Sequence, residues 1–128
     1  MARVTPQPLL CVRDVPRSSR WYQQVLGAES GHGGEEYERI VVDDVLVLQL
    51  HEAEQEHHHG GLVDTRQVFG NGVAVWFEVD DLDAARKRVV TSPMTVTIQT
   101  DTHVNPNAGH RELWLRDPDG YLVVLAGA

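Results

Sequence analysis

The strongest constraint on this chain is that its pattern runs twice. Residues 7–12, QPLLCV, form a short apolar stretch of strand character. RDVPRSSRWYQQVLG follows, with Asp14 or Ser18 placed to cap a helix and Pro16 suited to its first turn. Trp21, Val25 and Leu26 fall at helical spacing, and Gly27 is the stop. EYERIVVDD and VLVLQLHE then read as strands split by an Asp43-Asp44 turn. After a polar stretch the order returns: GVAVWFEV is a strand, and DDLDAARKRVV is a helix entered from Asp80 or Asp81. TVTIQT is a β-branched strand, and RELWLRDPDGYLVVLAG a hairpin. Even the strand-to-helix joints match, VRDVPRSSR against VDDLDAARK. Each half is therefore expected to be a strand, a helix and three strands.

The hairpin fixes which residues share a face. In Asp117-Pro118-Asp119-Gly120, Pro118 pre-sets φ, Asp117 bonds its own backbone and Gly120 supplies a positive φ. Alternation then puts Glu112, Trp114 and Arg116 on one face and Leu113 and Leu115 on the other. The return strand, Tyr121 to Ala126, carries no charge or amide, so neither of its faces suits water. Each half should cover one sheet face with its helix, and the two remaining faces should curve into a cup. The expected fold is α+β: two tandem βαβββ modules forming a cup-shaped, mostly antiparallel sheet with helices outside. The modules are about 5–52 and 72–127, joined by a loop at about 53–71, in one domain spanning 1–128.

Composition excludes several classes. A length of 128 residues suits one domain with a real core. A net charge of −8 argues against general nucleic-acid binding, which needs Lys and Arg to displace counterions. No apolar run is long enough for a membrane span, and MARVTPQPLL lacks the apolar stretch of a signal peptide. The lone Cys11 forms no internal disulfide, which fits a cytoplasmic protein.

The duplicated order, VRDVPRSSRWYQQVLG near the start and LWLRDPDGYLVVL at the end resemble the vicinal oxygen chelate superfamily. That group includes glyoxalase I, extradiol dioxygenases and bleomycin-resistance proteins, and the similarity covers roughly residues 5–127. Its metal enzymes hold a divalent ion with four strand residues. Carried over, the resemblance puts those positions at Gln7, Gln49, Ala74 and Val124. Two neutral amides and two side chains without donors do not suit a hard cation, so no metal or other cofactor is expected. The resemblance also implies a homodimer.

Alternation lists what the cup would offer instead: Gln7, Leu9 and Cys11; Val45, Val47, Gln49 and His51; Ala74, Trp76 and Glu78; and Glu112, Trp114 and Arg116, over a floor containing Val124. In the third strand Tyr37 and Arg39 are candidates. Trp76 and Trp114 either stack a planar ligand or fill core and a dimer contact. Arg116 either holds an anionic group or pairs with Glu112, the ion pair being preferred. Trp21 reads as core and Cys11 as an inert small residue. Glu78 and Glu112 are not expected to be catalytic, and no catalytic residue is assigned. In HEAEQEHHHGG, His57, His58 and His59 are adjacent on a loop and space poorly around one ion, whereas His51, at a strand end, can reach the cup mouth.

The expected function is a metal-free small-molecule binder that captures a planar or cationic antibiotic or metabolite, its polar edges met by Gln7, Gln49, Glu78 and Glu112. The negative chain suits a cation. The rival expectation is a metal-dependent lyase, isomerase or dioxygenase of the same superfamily with displaced ligands.

Overall fold

A computed structural model describes residues 2–54 and 61–128. The chain divides into two compact units, Met1–Thr65 and Arg66–Ala128. Unit one runs β1 (Leu9–Val12), α1 (Val15–Leu26), β2 (Glu29–Ser30), β3 (Tyr37–Val42) and β4 (Val45–Glu52). Unit two repeats this as β5 (Ala74–Glu78), α2 (Leu82–Val90), β6 (Thr97–Val104), β7 (Arg111–Arg116) and β8 (Leu122–Gly127). Each is a four-stranded mixed sheet, ordered β1-β4-β3-β2 and β5-β8-β7-β6. The pairs β1–β4 and β5–β8 are parallel and the rest antiparallel. The expected α+β duplication is the fold.

The punctuation works as the residue types dictate. Asp14 caps α1 by accepting from the Arg17 amide at 3.0 Å, and Asp81 caps α2 by accepting from the Ala84 amide at 3.0 Å. Gly27 ends α1 in the left-handed conformation, φ 63°. Asp43 and Asp44 both have positive φ, the conformation of a two-residue hairpin turn. In the second hairpin the Asp117 carboxylate accepts from the amides of Asp119 and Tyr121, each at 2.9 Å, and Gly120 sits at φ 95°.

Each helix covers one face of its own sheet. Val15, Trp21, Tyr22 and Val25 of α1 recur at helical spacing and are buried, as are Leu10, Val12, Ile40, Leu48 and Leu50 of the sheet. In unit two Leu82, Ala85 and Val89 are buried, with Leu113, Leu115, Val123 and Leu125. Trp21 is core, 1% exposed and edge-on to Tyr22. Cys11 is buried, and burial pushes its thiol pKa up, away from the reactive thiolate.

Unit one also buries a charge on its helix-covered face. Glu38, 3% exposed, sits opposite Leu50. Its carboxylate accepts from the hydroxyls of Ser19 (2.9 Å) and Ser30 (2.7 Å) and from the amides of His32, Gly33 and Arg39. It ties α1 to the glycine-rich turn at 31–34. A β2 of only two residues is too short for alternation to reveal.

Candidate functional site

The face of each sheet away from its helix carries the chemistry. In unit two the register places Ala74, Trp76 and Glu78 of β5 opposite Leu122, Val124 and Ala126 of β8. The same β8 residues pair on their other side with Arg116, Trp114 and Glu112 of β7. Trp76, Val124 and Trp114 therefore form one row across three strands, as alternation requires. Two strand spacings separate the tryptophan backbones by about 10 Å. One flat ring between two stacking surfaces needs about 7 Å, two contacts of about 3.5 Å.

The two indoles differ in what holds them. Trp76 is 51% exposed. Trp114 is half-buried, its indole N–H donates to Glu112 Oε1 at 2.9 Å, and His103 packs against it edge-on with ring centroids 5.0 Å apart. Val124 is only 1% exposed, so the accessible surface of the row is supplied chiefly by Trp76.

Glu112 is fully buried, and its oxygens accept three side-chain donors: Trp114 on Oε1, and Asn105 Nδ2 and His110 Nε2, each at 2.7 Å, on Oε2. Burial pushes its carboxyl pKa up, but the bonds from Asn105, Trp114 and His110 outweigh that and hold it below the ordinary value. Asn105 is oriented from its other end, because its Oδ1 accepts from the amides of Asn107 and Ala108 at 2.9 and 3.3 Å. The expected pairing of Arg116 with Glu112 is not made. Arg116 instead donates to Gln99 Oε1 at 2.5 Å and to the Gly120 carbonyl at 2.9 Å. Two residues closer along β7, Trp114 takes a Glu112 oxygen that alternation alone left open to Arg116. Glu112 was also expected to meet a ligand's polar edge, but it has no exposed surface.

A cavity of about 590 Å³ opens within unit two beside Trp76, lined also by Glu78, Asp80, His110, Arg111 and Ala126. The ring of His110 stands 6.3 Å, centroid to centroid, from Trp76. Asp80 and His110 were missed as site residues. His110 lies in the polar stretch between β6 and β7, and only its two-residue spacing from Glu112 hinted at a shared face.

In unit one the face away from α1 presents Leu9 and Cys11 opposite Gln49 and His51, which pair in turn with Arg39 and Tyr37. The Gln49 amide is used on both sides: Tyr37 Oη donates to its oxygen at 2.5 Å, and its nitrogen donates to the Gln7 carbonyl at 3.0 Å. His51 is half-buried, with Nδ1 3.0 Å from the Glu52 carbonyl and its ring near Tyr37. The side chain of Gln7 is exposed. His57, His58 and His59 lie outside the described residues.

Two βαβββ units, each with a helix on one face and a polar, aromatic row on the other, define a tandem-module α+β protein. The chain belongs to the Glyoxalase/Bleomycin resistance protein/Dioxygenase superfamily, which residues 4–125 match. Among solved structures it is similar to a glyoxalase-related enzyme from Fulvimarina pelagi, with 16% identity and a TM-score of 0.76 over 99% of this chain and 89% of that one. It is similar to a lactoylglutathione lyase from Agrobacterium tumefaciens, with 17% identity and a TM-score of 0.71 over 99% and 95%. It is also similar to a bleomycin-binding protein from bleomycin-producing Streptomyces verticillus, with 21% identity and a TM-score of 0.69 over 100% and 98%. None of the curated proteins compared matches it.

The superfamily's metal enzymes raise the question of an ion at the four positions that the resemblance carries over. Ala74 and Val124 have no donor atom, and the Gln49 amide is already bonded at both ends. Among the described residues no three His, Cys, Asp or Glu side chains converge as ligands. The four inherited positions do not fit a hard divalent cation. Among the described residues no helix is long and apolar enough to cross a membrane.

Proposed function

We propose that this protein is a metal-free binder of a planar small molecule, which stacks on Trp76 with Trp114 as the second aromatic surface of the same face. One observation carries the reading: two tryptophans share a cross-strand row about 10 Å wide, beside a cavity of about 590 Å³. The bleomycin-binding relative supports it as a protein of the same fold that holds a small molecule. Glu78 and Asp80 at the cavity favour a cationic substituent on the ligand, as does the chain charge of −8. A homodimer in the cytoplasm, engaging neither nucleic acid nor membrane, belongs to the same proposal.

Tryptophan fluorescence titrated with planar and cationic antibiotics tests it. Quenching is expected in wild type, with Trp76→Ala weakening binding about 5- to 150-fold, since one aromatic stack is worth about 1–3 kcal/mol. Trp114→Ala should weaken it less. Unchanged quenching in both variants would sink capture by stacking. A stoichiometric divalent ion, found by elemental analysis of protein purified without chelator, would instead favour the enzyme reading represented by the lactoylglutathione lyase relative.

A further inference from the structure

The arrangement around Glu112 fixes which nitrogen of His110 carries a proton. The indole N–H of Trp114 and the amide NH₂ of Asn105 have only hydrogens to offer, and each points at a carboxylate oxygen. The Asn105 amide cannot be turned round, because its oxygen receives two loop amides. Glu112 is therefore an acceptor at both oxygens, and His110 Nε2, 2.7 Å from Oε2, must donate. In the neutral ring this leaves Nδ1 as a lone pair. No partner for Nδ1 occurs among the described residues, and the ring lines the cavity beside Trp76.

The geometry points to His110 as the residue that reads the ligand in this cavity: its Nδ1 accepts a hydrogen bond from an O–H or N–H on the edge of a planar ring lying against Trp76. The ligand class is thus narrowed to flat aromatics that bear a donor, such as phenols or ring N–H heterocycles. Glu112 is a positioning residue in this scheme. Buried and held by three donors, it fixes the tautomer and the ring orientation and touches no ligand itself. The loop also contributes, since Asn105 N–H bonds the His110 carbonyl at 2.8 Å and so closes the turn that carries the imidazole.

This inference rests on the stacking reading of Trp76, and the experiment separates the two. Trp76 fluorescence is titrated with 1-naphthol and with 1-methoxynaphthalene, which share a flat ring and differ in one donor. Wild type should bind the naphthol about tenfold more tightly, the yield of one hydrogen bond in a site built to accept it. His110→Phe should erase that gap, so that the two compounds bind alike. Equal affinities in wild type, or a gap that survives His110→Phe, overturn the role of His110 while stacking stands. Quenching by neither compound removes both readings. Long-range proton–nitrogen NMR of the wild-type imidazole decides the point without any variant: protonation at Nε2 alone is expected, and protonation at Nδ1 refutes the proposal.

Discussion

Each unit buries one glutamate on its third strand, and the two are put to different uses. Glu38 shares its row with Leu50 and Leu10, beneath α1, and three of its five donors are backbone amides. It is a clamp on a turn. Glu112 shares its row with Ala126 and Glu78 on the uncovered face, and all three of its donors are side chains: an amide, an imidazole and an indole. The first carboxylate fixes chain path, and the second fixes side-chain orientation beside a cavity. The lesson is that identical topology and equal burial do not predict role; the nature of the donors does.

The largest test of this contrast is to remove each carboxylate. Glu38→Ala and Glu112→Ala should each cost about 3 kcal/mol, because buried donors lose a charged partner. Urea unfolding reads that loss. Only Glu112→Ala should also alter the emission of Trp114, and an equal spectral change in Glu38→Ala would erase the distinction between clamp and orienter.

Acid titration sharpens it further. Burial pushes both carboxyls up, yet their hydrogen bonds hold both pKa values below the ordinary 4.5. A lowered folded pKa means the contribution is complete above the unfolded value and fades as pH falls through the folded one. Stability should thus hold down to about pH 4.5 and decline below it. Glu38→Gln and Glu112→Gln should each flatten that decline. If neither flattens it, these two groups do not drive acid unfolding.

The smallest expected effect is a surface control. The hydrogen bond from Arg86 holds the exposed Asp101 carboxyl down at about 2. Arg86→Gln should raise that midpoint, seen by NMR titration, with no measurable change in the urea midpoint. A clear loss of stability would mean that charge pairing in unit two matters beyond its buried site.

Much of the architecture was legible in the sequence because local chemistry specified it. Asp14 and Asp81 cap helices, Gly27 stops one, and Asp117-Pro118-Asp119-Gly120 closes a hairpin, each by bonds within a few residues. Alternation, phased from the hairpin for Glu112 and Trp114 and from the superfamily resemblance for Trp76 and Glu78, put all four on one face, as the register has them. Contacts set by loop path stayed hidden. Asn105 and His110 reach Glu112 because a turn bonded from Gly109 N–H to the Asn105 carbonyl brings them back beside β7. No periodicity announces such a return. The expected Arg116–Glu112 pair failed for a related reason: Gln99, on the neighbouring strand, was invisible to reading along β7 alone.

The opposite sheet faces taken by Glu38 and Glu112 have a consequence for how duplicated modules diverge. Sliding an acid by a single place in a pleated strand moves it from interior scaffolding to a working surface, with no change in amino-acid inventory. In such a fold, small insertions or deletions near a hairpin can create or abolish a recognition surface as effectively as point replacement. Descendants of one ancestral repeat can therefore look alike in content and differ wholly in what they offer to solvent.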